Sequence, residues 1–363
     1  MSTSQLRDKQ LDGLRGLAAS GVVLFHAHYS PVFEWMWTFV DLFFVLSGFL
    51  ITRIILGGLK SESFSFKNFM IRRILRIWPV YYFTFTICMV VVVANYFLSG
   101  QWQNTSGALT APLFLQYTHH YLNPAFNAGK EEFIFWFHHS WSIAVEEQFY
   151  LLMPLLMLAL RNQLIVVLVI AILLIPVAVY FRIQGAFHWL LIYRMDALCV
   201  GVVLAFYWSL RKRSPAYSVT IWQAIFGSVA ALSIGLIFLD KLPLDVPHQY
   251  ERAFSLLGFN LAFGITLLVL MEGWFPMLNA VMSAQLMVFL GSISYALYLF
   301  HVPVRGALLY VVDEKNIGSS PLWVQVAYFS LSVLAAYLSK IVLEDRVNAL
   351  KHRFPVRRIV RQR

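Results

Sequence analysis

The chain of 363 residues is 60% hydrophobic and only 13% charged. A soluble domain usually carries about a quarter charged residues, so this composition excludes an ordinary soluble enzyme and points to a membrane protein. The formal net charge of +10 does not indicate nucleic acid, because the Lys and Arg sit in particular loops and in the C-terminal tail. Both cysteines, Cys88 and Cys199, lie inside apolar runs and read as small hydrophobes packed in helices. No CxxC or Cys/His cluster exists, so no metal site is expected.

The N-terminal stretch is not a signal peptide. Its apolar run contains Asp12 and Arg15 and has no convincing small-residue cleavage site, so it leads into a retained first helix. Ten runs have the roughly 20-residue length that crosses the hydrocarbon: 11–29, 35–57, 74–98, 139–160, 164–182, 187–208, 219–239, 252–271, 286–312 and 321–343. Segment 109–117 is too short to cross and is expected to be re-entrant or interfacial. The expected fold is therefore an all-α polytopic transmembrane bundle of about ten helices. With the N-terminus cytoplasmic, the inner segments hold Lys60, Lys67, Arg72, Arg73, Arg76 and most other cations, whereas the outer loops hold only Lys130, Arg182, Lys241, Arg252 and Lys315. The positive-inside rule then places both termini in the cytoplasm. Residues 1–345 form one membrane domain, and the basic tail 346–363 is expected against anionic lipid headgroups. The loop 99–138, rich in aromatic residues, is expected outside as an interfacial belt or a sugar-stacking surface.

Ionisable groups inside spans are costly unless paired or hydrated, so each is a candidate site residue. Arg15 and His26 are eleven residues apart, close to three turns, and share a face about 16 Å apart along the axis. Alone, His26 fits a satisfied structural histidine as well as a catalytic one. The second span carries Asp41 near its outer end and Arg53 near its inner end, and Ser47-Gly48 between them permits close backbone approach. Arg72, Arg73 and Arg76 follow on the next inner segment. Their guanidinium forks suit phosphates, and a plain positive-inside anchor is the competing reading.

Glu146 and Glu147 lie about two turns into the fourth span, with Ser142 one turn before Glu146 on the same face. Two adjacent carboxylates cannot face one partner, so Glu146 is expected inward and Glu147 with Gln148 against other helices. Arg194 and Asp196 fall near mid-membrane, each placed to neutralise a charge on another helix. Tyr298 and His301 share a face of the ninth span, and Glu344 ends the last one, where it can meet an inner arginine.

The stretches LDGLRGLAASGVVLFH (11–26), DLFFVLSGFLIT (41–52), FMIRRILRIWPVYY (69–82), WSIAVEEQFYLLMP (141–154), YRMDALCVG (193–201) and GSISYALYLFHVPV (291–304) together resemble the acyltransferase 3 family of membrane-bound O-acyltransferases. They follow the family's order over nearly the whole chain, and the resemblance is to stand-alone members without a fused SGNH domain. It implies transfer of an acyl group, commonly acetyl, from cytoplasmic acyl-CoA to a hydroxyl of a carbohydrate or lipid-linked glycan in the bacterial inner membrane. It implies no bound cofactor and no nucleic-acid partner. By the same resemblance Arg15 and His26 are the family's Arg/His pair, His26 being the catalytic histidine, and Arg73 and Arg76 form its acyl-CoA-associated RxxR motif. Glu146 or Asp41 is expected to orient His26, as a carboxylate does in a triad. General-base and acyl-histidine mechanisms are equally compatible with these residues. A proton-coupled glycan transporter or flippase is the alternative, in which the same groups form a relay.

Overall fold

The structure is a computed structural model that describes residues 3–27, 31–99, 110–115, 136–185, 189–211, 227, 229, 248–312, 317 and 320–355. All elements among them are helical. They are α1 (Thr3–His26), α2 (Phe39–Lys60, entered through a 3-10 segment Pro31–Thr38), α3 (Phe66–Ser99), α4 (Trp141–Ala159, entered through a 3-10 turn His138–Ser140) and α5 (Leu164–Gln184). Then come α6 (Met195–Arg211), α7 (His248–Glu272), α8 (Pro276–Met282), α9 (Gln285–Ser292), α10 (Ser294–Val312) and α11 (Leu322–Ser339). The described residues end in a π-helical turn, Lys340–Glu344, a short α12 (Asp345–Asn348) and a 3-10 turn, Ala349–Arg353.

Among the described residues, seven helical stretches are long and apolar enough to cross a membrane: Trp35–Lys60, Phe66–Leu98, His138–Ala159, Leu164–Gln184, Tyr250–Glu272, Ser294–Val312 and Leu322–Arg353. The protein is a membrane protein. Neither α1 nor α6 is among the seven. Both are enclosed by other helices, α1 by α2, α7, α8, α9 and α10, and α6 by α2, α5 and α7. A helix shielded from lipid need not be apolar throughout, which is how α1 carries Asp12 and Arg15. The expected span 286–312 is two helices broken at Ile293, and the expected span 219–239 lies outside the described residues, as does most of the loop 99–138.

Lipid tails are as apolar as leucine, so close backbone packing rather than hydrophobicity holds such helices together. The most extensive contact is between α2 and α6. A Cβ at Gly48 would collide with the Leu198 carbonyl, and one at Gly201 with the Val45 carbonyl. The neighbouring Ser47 is turned about 100° away, toward α4, where it donates to Glu146. The short segment 110–115 lies against α3 and α4. Its Ala111 and Pro112 carbonyls accept from Tyr81 and Tyr82 hydroxyls at 2.8 Å each, and the Phe114 carbonyl accepts from Gln148 Nε2 at 3.1 Å. These bonds hold Phe114 at a positive φ of 57°, which a non-glycine residue adopts only when its surroundings impose it.

Two ion pairs lock the helices around α6. Arg194 donates to both oxygens of Asp41 on α2, at 3.1 and 2.8 Å, with its guanidinium over the rings of Trp37 and Trp141. Arg182, at the end of α5, donates to both oxygens of Asp196 at 2.7 Å each and also to the carbonyls of Tyr193 and Ala253. Asn260 of α7 donates to the same carboxylate at 2.9 Å. Arg194 and Asp196 thus each neutralise a charge on another helix, as expected. Arg182 differs from expectation: it is no outer-loop cation but lies 2% exposed, because Asp196 needs a counter-charge inside the bundle.

Truncating one member of such a pair leaves a buried charge and costs about 3–5 kcal/mol. Asp196→Ala should therefore lower the thermal midpoint of the detergent-solubilised protein sharply, and adding Arg182→Leu should recover most of the loss. Equal midpoints for the single and double variants would contradict this account.

Candidate active site

Inside the bundle, α1, α2, α3, α4 and α10 enclose a cavity of about 70 Å³. Its polar lining is Arg15 from α1, Ser47 from α2, Arg73 and Arg76 from α3, Ser142, Glu146 and Tyr150 from α4, and Ser294, Tyr295 and Tyr298 from α10. Helical periodicity explains the set. Ser142, Glu146 and Tyr150 are spaced four apart on one stripe of α4, and Arg73 and Arg76 are three apart on α3.

Three guanidinium groups face one carboxylate here. Glu146 is held by Ser47 Oγ at 2.5 Å and by the Tyr150 hydroxyl at 3.0 Å, donors that fix its two oxygens. Arg73 lies over the rings of Phe69 and Tyr150, and its buried Nε has no hydrogen-bond partner among the described residues. Arg15 has Asp12 4.0 Å away, at the limit of an ion pair. The cavity lining therefore carries more cations than anions, with an unused donor on Arg73, an arrangement that suits an anionic group.

Tyr298 closes one side of this cavity. Ser142 Oγ donates to the Tyr298 hydroxyl at 2.7 Å, and that hydroxyl donates to the His139 carbonyl at 2.7 Å. The far side of Tyr298 meets a group of histidines, with its ring 5.6 Å from the rings of both His139 and His301. His26 joins them from the end of α1, 4.8 Å from His301 and 6.0 Å from His138 by ring centroids. Its Nδ1 sits 3.0 Å from the Val22 carbonyl, which can only accept, so Nδ1 carries the hydrogen and Nε2 is the basic nitrogen.

The expected residues therefore divide. Arg15, Arg73, Arg76, Ser142, Glu146 and Tyr298 are brought to one cavity, and His26 with His301 stands behind Tyr298. Arg72 points instead at the C-terminal segment, donating to the Lys351 carbonyl at 2.8 Å, while Asn68 donates to the Pro355 carbonyl. The segment 349–355 is thus seated on α3, and the tail beyond it lies outside the described residues. Arg53 does not line the cavity. Asp41 is engaged by Arg194, and Glu147 has turned away towards Trp78 Nε1 at 3.5 Å, as expected for the second of two adjacent carboxylates. Glu344 is buried on the π-helical turn against α3, within electrostatic reach of Arg76 and Arg15.

Sequence reasoning overlooked His138, His139 and Tyr150. The signal was present at the first two, since paired histidines at the head of a span fall under the same rule that singled out His26. No group of His, Cys, Asp or Glu among the described residues is arranged to hold a metal ion.

The sequence profile of the acyltransferase domain of the acyltransferase 3 family matches residues 8–340. A Staphylococcus aureus protein of strain COL, provisionally named an O-acetyltransferase, is 28% identical over 91% of this chain and 55% of its own length. The O-acetyltransferase OatA of S. aureus strain NCTC 8325 is 26% identical over 93% of this chain and 56% of its own. The chain spans about half the length of the curated relatives it matches. No solved structure matches it.

Arg72 and Arg73 are neighbours with different surroundings, and this can be tested directly. Arg72→Ala removes a charged donor from the C-terminal segment, a bond worth on the order of 1 kcal/mol. Trypsin cleavage at Lys351 and Arg353 should then quicken about fivefold, whereas Arg73→Ala should leave it unchanged.

Proposed function

The chain belongs to the acyltransferase 3 family, and from that premise we propose that it is a membrane O-acyltransferase carrying an acetyl group from acetyl-CoA to a hydroxyl of a carbohydrate or lipid-linked glycan. The observation that carries the reading is the cavity holding Arg15, Arg73 and Arg76 on one side of Tyr298, with His26 on the other. Charged and reactive groups are separated as the two ends of a CoA thioester are. The nucleotide phosphates need guanidinium donors, and the carbonyl at the far end of the pantetheine arm needs a base beside the acceptor.

In this reading the arginines grip the phosphates, with Glu146, tied to Ser47 and Tyr150, keeping the cluster ordered. His26 Nε2 takes the proton of the acceptor hydroxyl as the oxygen attacks the thioester carbonyl, and the departing thiolate takes the proton back. Tyr298 stands between the two compartments and must shift for the arm to pass. Asp41 supports the site through Arg194 and Trp141 rather than by orienting His26. Arg53 and Arg72 contribute positive charge to the surface by which the donor approaches. The arginine end faces the cytoplasm, both termini lie there, and about ten spans cross the cytoplasmic membrane, the inner membrane of the cell. Residues 1–345 form the catalytic domain and 346–363 a basic tail.

Purified protein given labelled acetyl-CoA separates this reading from a glycan transporter, which would neither bind nor consume it. Arg73→Ala and Arg76→Ala should each weaken acetyl-CoA binding about tenfold, the worth of a charge-assisted hydrogen bond. His26→Ala should bind the donor normally yet lower transfer by about 10² to 10⁴. This is read as base-labile acetate on the glycans of cells expressing each variant. Full acetylation by a folded His26→Ala protein would reject the assignment.

A further inference from the structure

The C-terminal segment carries three basic side chains in a row, Lys351, His352 and Arg353. His352 and Arg353 are exposed, whereas Lys351 is half-buried. Its backbone is fixed at that point. Arg72 Nη1 donates to the Lys351 carbonyl at 2.8 Å and to the Phe354 carbonyl at 3.4 Å. Asn68 Nδ2 donates to the Pro355 carbonyl at 2.8 Å. α3 therefore holds the segment by its carbonyls and leaves the Lys351 ammonium for other work. A lysine that only meets lipid headgroups needs no such seat, because an unattached basic tail does that equally well.

The company of Lys351 is what requires an explanation. The charged groups acting on it most strongly are Arg76, Arg73 and Arg72 of α3, followed by Glu344. Neither the Arg76 guanidinium nor Lys351 Nζ makes a hydrogen bond or ion pair among the described residues. Glu344 has Arg76 as the strongest charge acting on it, so it is shared among these cations rather than paired with the lysine. The sequence beyond Pro355, VRRIVRQR, adds four arginines and no acidic side chain. An ammonium and guanidiniums brought together with donors unused have the composition of a phosphate site. Acetyl-CoA offers two kinds of phosphate. Its diphosphate joins the nucleotide to the pantetheine arm, and its 3′-phosphate is a monoester on the ribose, with about two negative charges. Arg15, Arg73 and Arg76 line the cavity that reaches Tyr298, and Lys351 does not. The diphosphate, nearer the thioester, suits the cavity, and the 3′-phosphate suits the cations outside it.

We propose that Lys351 is a donor-binding residue that holds the 3′-phosphate of acetyl-CoA, with Arg76 shared between that phosphate and the diphosphate. The inference rests on the acyltransferase reading for the identity of the ligand. The C-terminal segment is then part of the substrate site, and Arg72 and Asn68 serve it by fixing the carbonyls around the lysine. Phosphate is also the chemistry of a lipid headgroup, which is the competing source of an anion for the same cations.

The test measures binding by purified full-length protein in a neutral detergent, with acetyl-CoA and its 3′-dephospho form as the two probes. The wild type should bind acetyl-CoA about tenfold more tightly than the dephospho form, the worth of one charge-assisted hydrogen bond. Lys351→Met keeps the length and the apolar stem of the side chain and removes the amine. It should bind acetyl-CoA about tenfold more weakly and the dephospho form as before, so that the preference disappears. Lys351→Arg should keep it. Equal weakening towards both probes in the Met variant would mean that the lysine only seats the segment. An unchanged preference would mean that it meets no phosphate, and either result overturns the proposal. So would loss of the wild-type preference on adding phosphatidylglycerol, which would give the site to a lipid headgroup. A wild type that binds both probes alike rejects this site and leaves the acyltransferase reading standing. One that binds neither rejects that reading, and the site with it.

Discussion

A charge inside a helical bundle must meet its opposite, and this requirement arranges most of the structure. Arg194 with Asp41, through one nitrogen to both oxygens, and Arg182 with Asp196, through two nitrogens, are matched one to one, and Asn260 donates to Asp196 as well. These pairs tie α2, α5, α6 and α7 together and leave little charge for anything else to bind. The cavity between α1, α3 and α4 breaks the rule. Three guanidiniums line it with one carboxylate, which is already held by two hydroxyls, while Glu344 and Asp12 stand outside the lining. Balanced sites build the frame, and the unbalanced one is where a ligand's charge can enter.

The rule also separates what was legible in the sequence from what was not. Arg15, Ser142, Glu146 and Tyr298 are polar residues in apolar runs whose spacing marked a shared face, whereas Arg73 and Arg76 were singled out by the family resemblance. Partner choice was not legible, because it depends on how helices far apart in sequence cross. Asp41 was expected beside His26 and is found on Arg194, 153 positions away. Arg182 reads as a loop cation from its place at the end of a span, and only the position of Asp196 across the α5–α6 turn shows why it is buried. Arg72 and Arg73 look alike in the sequence, yet a helix turns about 100° per residue, so neighbours face different partners. The membrane class and the helical fold followed from composition. The shielding of α1 and α6 by neighbouring helices was not legible, because it depends on which helices pack around them.

Tyr298 joins the two halves of the site. Its ring touches the histidines while its hydroxyl links Ser142 to the His139 carbonyl, so the arginine cavity and the imidazole row meet at a single side chain. The α2–α6 crossing supports this division. The Gly48–Gly201 contact brings two backbones together on one face of α2, which leaves Ser47, about 100° round the helix, to hold Glu146. A packing position and a polar position are adjacent in the chain, and helical rotation alone directs them to different tasks.

The π-helical turn at Lys340–Glu344 has a bearing on how this protein tolerates length changes. A π turn houses one residue more than an α turn, so the extra residue is absorbed in one wider turn and the chain beyond keeps its face. Deleting one residue there would restore ordinary winding and leave the carbonyls of Lys351 and Phe354 on Arg72. The same deletion in the regular turns of α11 would rotate all that follows by about 100°. Length can therefore change at this turn without redirecting the C-terminal segment.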